Sequence, residues 1–473
     1  MKLNQVFDWV DDPQNVMQKF GSGSVDIMRI HTDTRTLKAG DLFVALKGET
    51  FDANDFLVQA KAIGAVAAIA QHGMQSAGLP GLQVSDSKLA LGQIAAGWRS
   101  QFNLPLITVT GSNGKTTVTQ MIAAVLKAFK PGHVLATEGN LNNDIGVPLT
   151  LLRLSHGHEI GVVELGMNHP GEIAYLAHLV KPAVALVNNA QREHLEFMGT
   201  VQAVARENGS VIGSLDMTGV AVFPFDDAYT SMWRELAGKR KTLTFGMDGG
   251  ADVSGQGHWM GEGWQVAVET PNGQGEFRLQ IAGRHNVKNA LAAVACALAA
   301  GVPLESICSG LSAFVPVKGR SRAVNLTLSG RKVTVVDDTY NANPDSMQAA
   351  IDLLAELPGP SLLVMGDMGE VGNEGPAFHT EAGKYARSKG IDQLFTLGEQ
   401  AALASKHFLG GQHFDDVAAL NRALIAQLAT AGSVLVKGSR FMKMERAVEA
   451  VTDYEKHVAH QEKLKQDGTS HAA

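Results

Sequence analysis

The chain has 473 residues, 45% of them apolar and 18% charged, with a formal net charge of −7. That length outgrows a single core and predicts several domains, three by the order of elements below. The acidic balance excludes a broad nucleic-acid or anionic-membrane surface and leaves only local basic pockets for an anionic ligand.

The first stretch, MKLNQVFDWVDDPQN, carries acids and lacks the apolar centre of a signal peptide. The longest apolar runs, AIGAVAAIA and ALAAVACALAAG, fall short of the roughly 18 residues that a membrane helix needs, so a soluble, cytoplasmic protein is expected. Cys296 and Cys308 sit in helix-like apolar stretches, which predicts buried thiols rather than a disulfide or a metal site. In the first hundred residues GDLFVAL, DANDFLVQAKAIGA and VAAIA read as strand, helix and strand, a small α/β unit left through WRSQFNLP. LITVT then opens a second unit, in which EIGVVEL and AVALVNN repeat the strand pattern, each followed by a polar loop; this predicts a mostly parallel sheet with crossover helices. WQVAVETPNGQGEFRLQIA alternates about a Pro-Asn-Gly turn and reads as an attached β-hairpin. After AFVPVKGRSR, the runs KVTVVD, SLLVMG, QLFTL and SVLVKG predict a third α/β unit, and the last residues a frayed tail.

The stretch LITVTGSNGKTTVTQMIAAVLKAF carries the chemistry. Val118, Met121, Ile122, Val125, Leu126 and Phe129 recur at helical spacing, so the loop Thr110, Gly111, Ser112, Asn113, Gly114, Lys115, Thr116 and Thr117 joins a buried strand to a helix N-terminus. Unpaired N–H groups and the helix dipole favour phosphate there, Gly111 and Gly114 permit close approach, Lys115 brings charge, and the Thr116 hydroxyl can ligate Mg²⁺. The loop is shorter than the usual G-x-x-x-x-G-K-[ST], with Val109 where the first glycine would stand. Glu164 closes EIGVVEL and His194 follows AVALVNNAQRE, so both should reach the same sheet edge, where open α/β sheets bind ligands. Each is a candidate metal ligand, the carboxylate better matched to Mg²⁺, and each also has a plain reading as a cap or surface group.

TGSNGKTT, GRHNVKNALAA and PVKGRS, together with Glu164 and His194, resemble the ATP-dependent Mur ligases, which add amino acids to the UDP-N-acetylmuramoyl peptide of peptidoglycan. The likeness runs over nearly the whole chain. Within the family, TEGNLNNDIGVPLTLL, DDTYNANPDSM and VMGDMGEVG most resemble the member that attaches D-alanyl-D-alanine to UDP-MurNAc-tripeptide, and the third-residue ligase's DNPR motif is absent. The resemblance implies a small N-terminal α/β domain over 1–100 that binds the UDP-sugar, and a central P-loop-type ATPase domain over 101–315 that carries the hairpin. It further implies a C-terminal Rossmann-like domain over 316–457 that closes over ATP and brings the dipeptide, with 458–473 as the tail. ATP and Mg²⁺ are the implied cofactors. The implied partners are UDP-MurNAc-tripeptide and D-Ala-D-Ala, with no nucleic acid or membrane insertion, and a monomer is expected.

Carried over by motif, Lys115, Glu164, His194 and Arg320 are the implied catalytic groups, with Thr116, Glu164 and His194 toward metal. Asp33, Thr34, Arg35, Lys47 and Gly48 fall near the nucleotide sugar, and Asn140 and Asn143 on the substrate side; the bland alternative makes Arg35 a surface cap and Lys47 a loop solubiliser. Asn286 and Asn289 match adenine-contacting positions, although an asparagine there also makes a good helix N-cap. Asp338, Tyr340, Asn341 and Asn343 match a nucleotide-facing loop, and Pro344 opens the helix after it. FVPVKGR is the hinge candidate. The chain departs from the family at RENGS, Arg206 to Ser210, where many members carry a carbamate-modified lysine that supports a second metal; the Asn208 amide oxygen or Glu207 is left to fill that place. Asn54 also stands where DGHDF would have histidine. Two rivals remain: another ligase of the superfamily, such as the third-residue enzyme or folylpolyglutamate synthase, and a nucleotide-switched binding protein. A dehydrogenase is disfavoured because GDMGEVG lacks the G-x-G-x-x-G order.

Overall fold

Strands apolar on both faces belong inside a sheet covered by helices on each side, and the central sheet is built from such strands. The computed structural model describes residues 1–328 and 330–470, with side chains up to Gln461. Three α/β domains follow one another, each with its own sheet. The central sheet has nine strands in the order Gly273–Leu279, Trp264–Thr270, Val253–Trp259, Lys241–Gly246, Val220–Pro224, Val184–Val187, Leu106–Thr110, Ile160–Glu164 and Val134–Ala136. It is parallel from Val253–Trp259 onward, and the hairpin about Pro271 and Asn272 adds the antiparallel edge, pairing Thr270 with Gly273. Strands Leu106–Thr110, Ile160–Glu164 and Val184–Val187 are buried throughout.

This order makes Leu106–Thr110 the switch point of the sheet. The chain returns to it on one side as Ile160–Glu164 and on the other as Val184–Val187, in a register that sets Val109 against Glu164 and Thr110 against Val187. The loops leaving these strands therefore share one crevice at the carboxyl edge. The helix Lys115–Phe129 covers the sheet with Val118, Met121, Ile122, Val125 and Leu126 buried, as the spacing predicts.

The N-terminal sheet has five strands, with Val16–Phe20 antiparallel at one edge and Arg29–His31 at the other; the sequence reading found only Asp41–Val44 and Ala67–Ala70. WRSQFNLP is only partly a linker, since Trp98 and Arg99 end the helix Ser87–Arg99. The buried Arg99 guanidinium donates to the carbonyls of Val180 (2.8 Å), Phe102 (2.7 Å) and Leu104 (3.1 Å), tying that helix to the central domain. The C-terminal sheet has six strands, the four expected ones flanked by Arg322–Leu328 and Gln412–Phe414, and its register sets Asp338 against Lys437.

The segment expected to fray continues helix Glu445–Ser470, while residues 471–473 lie outside the described residues. Both thiols are free; Cys296 is buried, which pushes its pKa up, but Cys308 is only half-buried because it faces the hairpin's Gly275 at the domain surface. No helix of the described residues is long and apolar enough to cross a membrane.

Candidate active site

The phosphate loop can take its shape only with glycine at both of its bends. Gly111 (φ +129°) and Gly114 (φ +81°) lie in the left-handed region, and a Cβ on Gly114 would meet Asn289 Oδ1 at 2.5 Å and Asn188 Nδ2 at 2.8 Å. The loop is braced from below by Asn208, whose amide oxygen accepts from Thr110 Oγ1 (2.5 Å) and Gly111 N (3.0 Å). From the side, Asn113 N donates to Asn189 Oδ1 and Gln191 N to Ser112 Oγ. Lys115 Nζ donates to Gly111 O (2.6 Å), Ser112 O (3.1 Å) and Glu193 Oε1 (2.7 Å). The ammonium is thus already held over the mouth of the loop, with Glu193 as its counter-ion.

Beside it Thr116 Oγ1 donates to Glu164 Oε1 (3.0 Å), and Asn142 Nδ2 donates to the same oxygen (2.7 Å). The carboxylate is almost wholly buried, and its second oxygen, Oε2, has no partner in the protein. A buried carboxylate oxygen without a donor calls for a cation. Thr116 Oγ1 and Glu164 Oε2 form a hard, all-oxygen donor pair that fits Mg²⁺. His194 has a left-handed backbone (φ +50°), which turns its ring back across the loop: Nδ1 lies 2.9 Å from Glu370 Oε2 and Nε2 3.6 Å from Glu193 Oε1. The neighbouring His194 side chain, with Lys115 further off, holds the Glu370 carboxyl below the usual carboxylate range against the upward push of burial.

A cleft of about 830 Å³ runs from this point to the C-terminal domain and is lined by Lys115, Thr116, Glu164, His194, Asn286, Asn289, Arg320 and Tyr340 among others. Helix Arg284–Ala299 is capped by Gly283, so Asn286 sits inside its first turn and is not the N-cap. Asn286 and Asn289 join a chain of amides: Asn289 Nδ2 donates to Asn286 Oδ1, Asn188 Nδ2 to Asn289 Oδ1, and Asn188 Nδ2 also to Asn113 O. Across the cleft the Arg320 guanidinium stacks on Tyr340 at 4.0 Å, and its buried Nε has no partner. Asp338 anchors this wall. It accepts from Ser321 N (2.9 Å) and Lys437 Nζ (2.6 Å). Burial pushes its pKa up, but Lys437, His285 and the Ser321 N–H outweigh that, so the carboxyl lies below its ordinary value. Asn343 caps helix Pro344–Ala355 and forms a reciprocal amide pair with Asn113 of the phosphate loop, at 2.9 and 3.3 Å.

The sequence carries the Mur ligase family's models in order: the catalytic domain over residues 26–99, the middle domain over 109–297 and the glutamate ligase domain over 319–440. An Escherichia coli (strain K12) protein named UDP-N-acetylmuramoyl-tripeptide–D-alanyl-D-alanine ligase is 42% identical over 429 residues, which span 90% of this chain and 93% of that one. The chain belongs to the Mur ligase family. The crystal structure of MurF from Acinetobacter baumannii superimposes on this Mur ligase with a TM-score of 0.88 at 36% identity, covering 95% of this chain and 98% of that one. The MurF ligase from Thermotoga maritima, solved in complex with ADP, does so with a TM-score of 0.81 at 28% identity, over 92% and 99%.

Not every residue expected from the Mur ligase resemblance reaches the cleft. Asp33, Thr34, Arg35, Lys47 and Gly48 lie apart from its lining. Arg35 is exposed and paired with Asp33 at 2.7 Å, whose carboxyl it holds down at about 2. Asn140 and Asn143 do line the cleft, but the Asn143 amide oxygen is engaged by Gly146 N. Neither candidate for the missing lysine faces the cleft: the Asn208 oxygen is taken by the phosphate loop, and Glu207 accepts from Gly171 N and Ile173 N at the start of a helix. Asn54 is a structural substitute, buried with its side chain bonded to Asp52 and Gln71 N. The sequence reading missed Asn142, Glu193, Glu370 and Lys437. GNLNND and VMGDMGEVG are the signals that hold Asn142 and Glu370; Glu193 lies one residue before His194, and nothing local distinguishes Lys437.

Proposed function

We propose that this Mur ligase joins D-alanyl-D-alanine to UDP-MurNAc-tripeptide with consumption of ATP, releasing ADP and phosphate. The observation that carries it is the meeting of Lys115, the Thr116–Glu164 pair and Arg320 in one cleft at the sheet's switch point, in a chain so similar to ligases named for that reaction. The ATP γ-phosphoryl group passes to the free carboxylate of the tripeptide, giving an acyl phosphate and ADP. The dipeptide amine attacks the acyl carbon, loses a proton, and the tetrahedral adduct collapses to amide and phosphate.

Such a transfer needs positioning and charge neutralisation more than covalent help. Lys115 leaves Glu193 for the phosphate chain, and Arg320, held against Tyr340, supplies charge from the opposite wall. Thr116 and Glu164 would hold Mg²⁺, which supplies neutralisation of the phosphate oxygens when bound. Asn142 fixes which Glu164 oxygen remains free. Asn286, Asn289, Tyr340 and Asn341 form the adenine side, Asn140 and Asn143 the acceptor side, and the segment from Asp33 to Gly48 the sugar-nucleotide side. The domain division falls near residues 100 and 315, and the enzyme works as a cytoplasmic monomer.

The test is phosphate release from Mg²⁺ and ATP with UDP-MurNAc-tripeptide, with and without D-Ala-D-Ala, followed by a mass spectrum of the sugar nucleotide. Release that needs both acceptors, with a product heavier by the dipeptide residue pair, is the expected result. Release with the third-residue or folate acceptors instead would reassign the substrate, and no release with any of them would overturn the ligase reading.

A further inference from the structure

The cleft is closed by contacts between the central and C-terminal domains, and they are unequal. Asn113 pairs with Asn343, and His194 lies against Glu370. A further contact is made by Arg192, on the loop that follows strand Val184–Val187. Its backbone N donates to Asp345 Oδ2 (2.7 Å), and its Nε and Nη2 donate to Asp345 Oδ1 (3.0 and 2.8 Å). Its Nη1 donates to Glu381 Oε1 and Oε2 (3.1 and 3.0 Å). The guanidinium also stacks on Phe378 at 5.3 Å. Asp345 lies in the first turn of Pro344–Ala355 and Glu381 within Gly375–Ser388, so one side chain grips two C-terminal helices.

Arg192 does not line the main cleft, whereas its neighbours Gln191 and Glu193 do. Its guanidinium is taken up instead by Asp345 and Glu381. The loop that carries it shapes the phosphate loop: Asn189 and Gln191 bond Asn113 and Ser112, and Asp345 stands two residues beyond Asn343, which pairs with Asn113. Both carboxylates are set in place beforehand. Asp345 is favoured by the helix dipole, and Glu381 accepts from Gln348 Nε2. Forked, half-buried pairs of this kind hold better than exposed ones, and without the guanidinium the two carboxylates would lose the positive charge they share.

We propose that Arg192 is a positioning residue that latches the C-terminal domain to the phosphate loop and so sets how far the cleft is closed. The consequence for turnover rests on the ligase reading above; the consequence for shape does not.

The test uses the full-length chain. Small-angle scattering without ligands should give a larger radius of gyration for Arg192→Ala than for the wild type, and an intermediate one for Arg192→Lys, which keeps the charge and loses the fork. The wild-type radius should also grow with salt, and that of Arg192→Ala should change less. In steady state the KM for ATP should rise about tenfold in Arg192→Ala, with a smaller change in kcat. The double variant Asp345→Asn with Glu381→Gln should match it, and adding Arg192→Ala to that pair should change nothing further. If Arg192→Ala does not fold, the carboxamide pair carries the test alone. A folded variant with an unchanged radius overturns the latch, and so does an unchanged KM for ATP. A wild type with no ATP turnover overturns the ligase reading, and the scattering result then decides the latch by itself.

Discussion

Replacing Gly114 by alanine tests whether the phosphate loop is held in shape by its backbone. The residue lies at φ +81°, and the new Cβ would stand 2.5 Å from Asn289 Oδ1 and 2.8 Å from Asn188 Nδ2. The left-handed backbone alone costs roughly 1–2 kcal/mol for a residue with a side chain. Asn289 cannot swing aside freely, because its oxygen accepts from Asn188 Nδ2 at 3.0 Å. Breaking that buried bond costs about another 1–2 kcal/mol. The sum, about 3 kcal/mol, is relieved by distortion of the loop and should appear as a loss of roughly a hundredfold in ATP affinity. Gly132→Ala is the matched control, since Gly132 has the same φ of +81° with nothing within 4 Å of its Cβ position. It should lose about 1–2 kcal/mol of stability and no ATP affinity. The assay is calorimetric titration with Mg²⁺–ATP alongside denaturant unfolding of all three chains. ATP binding by Gly114→Ala within about threefold of wild type would refute the reasoning, as the working affinity scale leaves under 1 kcal/mol for both effects together.

Lys115→Ala should fold and lose acceptor-dependent phosphate release by several orders of magnitude; near-normal release would remove the lysine from the mechanism. Asn142→Ala frees Glu164 Oε1 from one of its two donors, and the Mg²⁺ concentration for half-maximal activity should rise about tenfold, whereas an unchanged requirement would argue against a positioning role. Asn208→Ala strips the acceptor from Thr110 and Gly111, and denaturant unfolding should detect a loss of about 2–3 kcal/mol. Asp338 has a folded-state pKa below its unfolded one, so the stability it contributes is complete above the ordinary carboxylate range and is lost as pH falls through the folded value. Thermal unfolding of the wild type should weaken below about pH 4. Asp338→Asn should be less stable at neutral pH, with Lys437 left unpaired, and should show a shallower acid dependence.

Much of the fold was legible because the interior strands of the central and C-terminal sheets are unbroken apolar runs and the covering helix carries an apolar stripe at helical spacing. LITVT, EIGVVEL and SLLVMG became buried strands, and the Val118-to-Leu126 stripe became a buried helix face. Of the strands that escaped, Val16–Phe20, Arg29–His31 and Gln412–Phe414 lie at sheet edges where few side chains are buried, so the alternation that announces a strand is missing, whereas Gly81–Val84 and Val220–Pro224 lie buried inside their sheets and escaped all the same. The site divides in the same way. Lys115 and Thr116 were readable because one local motif holds them, and Glu164 because it ends a strand. Asn142 was not, since its partner lies 22 residues away and a loop asparagine has many other uses. Arg192 and Asp345 are 153 residues apart and belong to different domains, so no window of sequence contains their pairing.

The amides that run from Asn286 through Asn289 and Asn188 to Asn113 carry no ionisable proton. None of the four changes its charge with pH, so this wall of the cleft is held together by neutral amides, whereas the opposite end is lined by the carboxylates of Glu164, Glu193 and Glu370. A carboxamide put in place of any one of those carboxylates would alter the charge of the cleft without touching the amide chain that frames its other side.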